Sequence, residues 1–271
     1  MNNMDRPKLP GSRELLKKSF ELYKSRFWSC VAVLIPPAVV SILFSAIFSV
    51  TFKPGESLPE FGFLFVIFLT ALILVSLWSS IALILTIQAP EKMSFSAAYN
   101  GAIRNLGPYV WLAFLEGFIA MGAFILFVVP GILFTIWFSL AFFVLLQEGD
   151  RGMNALVKSR EYVRGYTGAV LGRYIVMILA LIVVAIVISL LFIWLPTEGV
   201  ASDIVSQVIT ILLEPWAIAF AFLVYQSLKA IKADFVFQPA KSQKVKYFVV
   251  AILGYALIPL LLVGVILSSI R

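Results

Sequence analysis

Seven long apolar runs dominate the chain, at 28–51, 61–89, 108–129, 131–147, 169–195, 204–228 and 247–270. A hydrocarbon core of about 30 Å takes about 20 helical residues to cross, so each run predicts a membrane-spanning helix. The fourth is the shortest. Val129, Pro130 and Gly131 join it to the third, which predicts a helical hairpin turned at Pro130-Gly131. Pro36-Pro37 in the first span and Pro215 in the sixth remove backbone donors, so each predicts a local kink.

The polar segments ahead of some spans have a pattern of their own. Residues 15–28 and 155–168 share Leu16/Leu156, Lys18/Lys158, Ser19/Ser159, Glu21/Glu161 and the basic pair Lys24/Arg164, at an offset of 140. A weaker third copy runs over 94–111. On a helical wheel Leu16, Phe20, Tyr23 and Phe27 make an apolar stripe, and Ala155, Ser159, Tyr162 and Tyr166 make another with Leu156 and Val163. Such segments suit helices lying in the headgroup plane. The expected organisation is a cytoplasmic segment 1–27, a six-span domain 28–231 of three interfacial-helix-plus-hairpin units, and a basic linker with an additional span over 232–271. Gly107-Pro108 are placed to bend the chain into the third span, and Gly165 and Gly168 into the fifth.

Composition fixes the class. Hydrophobic residues make up 62% of the 271 and charged residues 13%, against about 45–50% and about 25% in an average soluble domain. The fold class is therefore an all-α polytopic transmembrane bundle. The net charge of +7 is unevenly placed. With seven spans, nineteen of the 21 Lys and Arg residues fall in alternate segments on one side of the membrane and two on the other. The positive-inside rule then places the N-terminus in the cytoplasm, the C-terminus outside and the chain in a plasma membrane.

Histidine is absent and Cys30 is the only cysteine. That removes the commonest general base and metal ligand, any intrachain disulfide and any thiolate cluster. Cys30 is expected to be a small buried apolar side chain. No nucleophile elbow, phosphate loop or metalloprotease helix is present, so no enzymatic activity, metal or cofactor is expected. Nothing points to nucleic acid.

Two acids stand inside spans, Glu116 eight residues into the third and Glu214 ten residues into the sixth. A carboxylate in hydrocarbon is costly and marks a candidate proton or solute pathway. Pairing with Ser, Thr or Arg173 is the plainer alternative, and Pro215 beside Glu214 would free carbonyls to line a site. On the cytoplasmic side Lys17, Lys18, Lys158, Arg160 and Arg164, with Lys24, Arg26 and Arg104, could gather anionic phospholipid headgroups, each contact worth about 1 kcal/mol, or simply enforce topology. The partners expected are membrane lipids and a partner protein or second copy of the chain.

The stretch VPGILFTIWFSLAFFVLLQEGDRGMNALVKSREYVRGYTGAVLGR, from Val129 to Arg173, resembles the membrane domain joined to some bacterial glycerophosphoryl diester phosphodiesterases, and related stand-alone bacterial membrane proteins of unknown function. Its sharpest features are Pro130-Gly131 and Lys158-Ser159-Arg160. SFSAAYNGAIRNLG at 94–107 and RELLKKSFELYKSRFW at 13–28 extend the resemblance over about residues 10–230. It implies a module near phospholipid or glycerophosphodiester chemistry. The catalytic domain of those enzymes is missing, and the seventh span lies outside the six-span pattern. Three roles follow: a non-enzymatic module that organises or handles lipid, a small-solute or ion permease using Glu116 and Glu214, or a scaffold.

The span count has a direct test. A reporter fused after Arg271 that works only outside the cytoplasm is expected to be active, and a reporter active only inside it would mean one run fails to cross.

Overall fold

A computed structural model describes residues 8–51, 62–192, 194, 200–233, 237 and 244–257. Among them there are helices and no strands: α1 (Ser12–Thr51), α2 (Gly62–Gln88), α3 (Phe95–Leu126), α4 (Val128–Phe138), α5 (Ala141–Glu148), α6 (Met153–Val163), α7 (Thr167–Leu191) and α8 (Val200–Ile231). Residues 244–257 are also helical. Six stretches are long and apolar enough to cross a membrane, with α4 and α5 together making the fourth. The chain is an all-α, multi-pass integral membrane protein. The expected seventh span begins as the helix over 244–257, and its remainder lies outside the described residues.

Contacts group the described residues into two units. One draws on Met1–Pro10, Gly107–Arg173 and Val224–Arg271, the other on Gly11–Leu106 and Tyr174–Leu223.

In the second unit the N-terminal amphipathic segment is not a separate helix. It continues unbroken into the first span as the 40 residues of α1, a length of about 60 Å, twice the hydrocarbon thickness. Its charged first half therefore stands clear of the hydrocarbon. The buried positions there are Leu15, Ser19 and Tyr23, while Phe20 is 48% exposed, so the buried stripe is turned from the expected Leu16, Phe20 and Phe27. The cause is polar. Ser19 Oγ donates to the Leu16 carbonyl at 3.0 Å and accepts from Trp216 Nε1 at 3.0 Å, and Phe20 meets the Trp216 ring edge-on at 5.7 Å. Cys30 is fully buried, as expected.

Helix α3 likewise runs through Gly107-Pro108 without interruption. The expected bend is not a break, because a proline inside a helix costs one backbone bond without ending it when packing holds the rest. Pro36, Pro37 and Pro215 also lie inside continuous helices.

In the first unit the expected turn at Pro130-Gly131 lies instead at Phe127, whose extended backbone separates α3 from α4. Pro130 and Gly131 belong to the first turn of α4, where the missing N–H of proline has no partner to lose. Gly131 is required for packing: a Cβ there would lie 2.3 Å from the Phe124 ring. The fourth span is itself broken between Phe138 and Ala141. Ser159, fully buried on α6, mends the break. Its hydroxyl donates to the Trp137 carbonyl at 2.6 Å and accepts from Leu140 N–H at 3.2 Å. Helix α6 packs on α4 and α5 and buries Ala155, Leu156, Val157, Tyr162 and Val163. Gly165, at φ 86°, turns the chain from α6 toward α7, whereas Gly168 lies within α7. The start of the last helix docks here too, with Tyr247 edge-on to Phe134 and Phe138 and Tyr255 stacked on Phe118.

Ser159→Ala leaves one buried N–H and one carbonyl unpaired. At about 1–3 kcal/mol for each unsatisfied group, thermal unfolding in detergent should fall by several degrees, and an unchanged midpoint would mean that the hydroxyl does not hold the break.

Candidate functional site

Two polar clusters stand out, one in each unit. The first is centred on Glu148. Helix α5 ends there because Gly149 takes the left-handed conformation (φ 75°) and returns its N–H to the Leu145 carbonyl. The carboxylate, 11% exposed, pairs with Lys158 at 2.6 Å and Lys229 at 3.4 Å. Tyr162 donates across both of its oxygens at 3.1 Å, and Tyr225 donates to Oε1. Asp150 adds a second acid to Lys158, at 2.6 Å. The glutamate thus clasps α5, α6 and α8 together. Burial pulls the Lys158 ammonium down, but the hydrogen bonds and charges of Asp150 and Glu148 outweigh it and hold Lys158 above the usual lysine value. Burial, and then Glu148, push the Tyr162 phenol up to about 12.

Of the residues predicted to meet lipid headgroups the clasp absorbs Lys158, and two more pair with Glu161. Lys158 is held by two acids. Arg160 is paired with Glu161 at 2.7 Å and lies over the Trp137 ring at 5.1 Å. Arg164 pairs with Glu161 at 3.3 Å and is 66% exposed. Arg173 does not pair with an acid: Nε donates to the Pro10 carbonyl, Nη2 to that of Leu9 and Nη1 to that of Ala169, tying the segment at 9–10 to α7. Glu116 has a buried Oε2 without a hydrogen-bond partner among the described residues. In the other unit Arg26 closes the end of α2, donating to the Thr86 and Ile87 carbonyls at 2.6 and 2.7 Å, where a cation suits the helix dipole. Lys18 pairs with Glu14 at 2.8 Å. Lys17, Lys24 and Arg104 are exposed.

The second cluster is a partly open cavity of about 290 Å³ in the second unit, lined by residues of α1, α2 and α8. Its polar wall is Ser41, Ser76, Ser79, Ser80, Gln207, Thr210 and Glu214, and its apolar wall includes Leu34, Pro37, Leu72 and Ile211. No lysine or arginine lines it among the described residues. Helical spacing explains the convergence. Asp203, Gln207, Thr210 and Glu214 recur at intervals of four, three and four, on one face of α8. That face meets Ser41 and Ser45 of α1: Gln207 Nε2 donates to Ser41 Oγ at 3.0 Å, and Ser45 donates to Asp203.

The prolines belong to this site. Pro215 has no N–H for the Ile211 carbonyl, and Pro37 has none for that of Val33. The Val33 carbonyl finds another donor, the Tyr99 hydroxyl at 2.9 Å. The same phenol oxygen lies 2.6 Å from Ser79 Oγ, in the cavity wall.

Sequence reasoning found Glu214 and its neighbouring proline but missed Asp203, Gln207 and Thr210, whose signal was their helical spacing. It missed Glu148 as a centre altogether, since its partners come from Asp150, Lys158, Tyr162, Tyr225 and Lys229. Glu116 and Glu214 belong to different units, and Glu116 does not line the cavity. No family model, curated protein or solved structure matches the chain.

The clasp has an alkaline signature. Lys158 and Tyr162 both hold their protons more tightly folded than unfolded, where their usual values are 10.5 and 10.0. Their stabilisation is full below those values and is lost as pH rises through the higher folded values. The thermal midpoint should be flat from about pH 7 to 9 and fall above about 10. A Lys158→Met/Tyr162→Phe variant should start lower and fall less steeply. An equally steep fall would place the alkaline sensitivity elsewhere.

Proposed function

We propose that this integral membrane protein is a non-enzymatic small-solute or ion permease whose solute site is the cavity among α1, α2 and α8. One observation carries the reading: an acid, Glu214, faces a polar cavity within helices long and apolar enough to span a membrane. The interruptions of backbone bonding at Pro37 and Pro215 suit the pattern in which irregular backbone at membrane depth lines a cavity.

Lipid handling is the second reading. It rests on the exposed Lys17 and Lys24 of α1 and Arg104 of α3, on Trp28 of α1, which is 79% exposed, and on the resemblance to the phosphodiesterase-linked membrane domains. The geometry favours it less, because Lys158, Arg160 and Arg164 are engaged with acids of the chain itself. A scaffold for partner proteins has no site to argue from. The kinship, the bacterial plasma membrane and the cytoplasmic N-terminus remain part of the proposal, supported by the Lys and Arg distribution and the motifs around Lys158.

Proteoliposomes carrying the chain should take up a small polar solute saturably from a panel of neutral, cationic and anionic compounds. Glu214→Gln should cut that rate by about tenfold or more, since a hydrogen bond to a charged group is worth about 1.5–3 kcal/mol. Saturable uptake of no class would remove the permease reading.

A further inference from the structure

The hydroxyls around Glu214 have each a single proton to give, and the surrounding bonds show where most of those protons go. The Tyr99 phenol donates to the Val33 carbonyl, which can only accept. The 2.6 Å contact between Tyr99 and Ser79 must therefore use the Ser79 proton. Thr210 Oγ1 gives its proton to the Ser206 carbonyl at 2.9 Å, and Ser80 Oγ gives its own to the Ser76 carbonyl at 2.9 Å. Ser79, Ser80 and Thr210 are thus left with lone pairs alone. Among the described residues Glu214 has no hydrogen bond or ion pair, and no lysine or arginine lines the wall. Three of the five wall hydroxyls can therefore only accept, beside an acid with no cationic partner among the described residues, while Ser41, Ser76 and Gln207 keep donors.

We infer that the cavity binds a small organic cation, a primary ammonium on a short apolar stem. This rests on the permease reading for the site and names its substrate class. The three N–H donors of an ammonium match the Glu214 carboxylate and two of the proton-spent hydroxyls. The stem then lies along Leu34, Pro37, Leu72 and Ile211. A water needs only about 10–15 Å³ measured in the same way, so about 290 Å³ is far more than a bare alkali ion would fill. Anions are disfavoured because they would meet Glu214 with no lysine or arginine among the described lining residues.

Binding of n-butylammonium to the purified chain in nanodiscs tests this, by calorimetry and by ligand-observed NMR. Butanol, butyrate and potassium chloride are the comparison probes. Saturable binding of butylammonium is expected, at least about tenfold tighter than that of butanol or butyrate, and with little competition from potassium. Glu214→Gln should weaken it about tenfold or more and Thr210→Val severalfold, each with its thermal midpoint checked. The wild-type comparisons need no variant, so a misfolded mutant does not spoil the test. Equal binding of butanol, preference for butyrate, equal competition by potassium, or no binding of butylammonium would each overturn the assignment. Butylammonium binding without transport would leave the cation site standing and remove the permease. Saturable transport of a neutral solute, indifferent to butylammonium, would do the reverse.

Discussion

Hydrocarbon offers a protein no hydrogen bonds, and every feature of this chain answers to that constraint. A backbone that crosses the membrane must bond to itself, so the described residues are helical wherever the sequence is apolar. Where the helix fails, a side chain supplies what is missing. Ser159 does this for the broken fourth span, bonding both the Trp137 carbonyl and the Leu140 amide. Tyr99 does it for the Val33 carbonyl that Pro37 leaves free. Glu148 is the charged version, a carboxylate that remains buried only because two lysines and two tyrosines surround it.

Against that background Glu214 is an exception. It faces a cavity where Ser79, Ser80 and Thr210 have spent their protons, with no lysine or arginine among the described lining residues. Glu116 Oε2, Gln88 Nε2 and Asn154 Oδ1 are also buried without a partner among the described residues, but Glu214 is the acid that faces this cavity. Such an exception is where function is expected. Glu116 does not line this cavity.

Much of this was legible in the sequence. The apolar runs gave the helices, and the 140-residue offset pointed to Ser19 and Ser159, both of which are fully buried and hydrogen-bonded. What the offset concealed was the role: in each copy the serine is a polar contact on the buried face, not part of an apolar stripe. Pro130-Gly131 reads as a turn from propensity alone, but a proline in a first helical turn costs nothing and Phe124 needs the glycine. The basic residues divide in two. Arg160 and Arg164 pair with Glu161 of their own segment, whereas Lys158 and Arg173 find partners elsewhere in the chain, Glu148 for Lys158 and the Leu9 and Pro10 carbonyls for Arg173. Spacing within one segment cannot reveal those. The α8 face was readable, since Asp203, Gln207, Thr210 and Glu214 keep helical intervals within an apolar run.

The central claim is that polar solvent or solute reaches the Glu214 cavity from outside the hydrocarbon. Labelling of single cysteines in intact vesicles, in a background with Cys30 replaced by Ala, tests it most directly. A membrane-impermeant thiol reagent should modify cysteines placed at Ser41, Ser80 and Gln207, and should leave one at Ile178, on the exposed apolar face of α7, unmodified. If the three cavity positions resist the reagent as fully as Ile178 does, from either side of the membrane, the cavity is sealed and the account of a solute site fails.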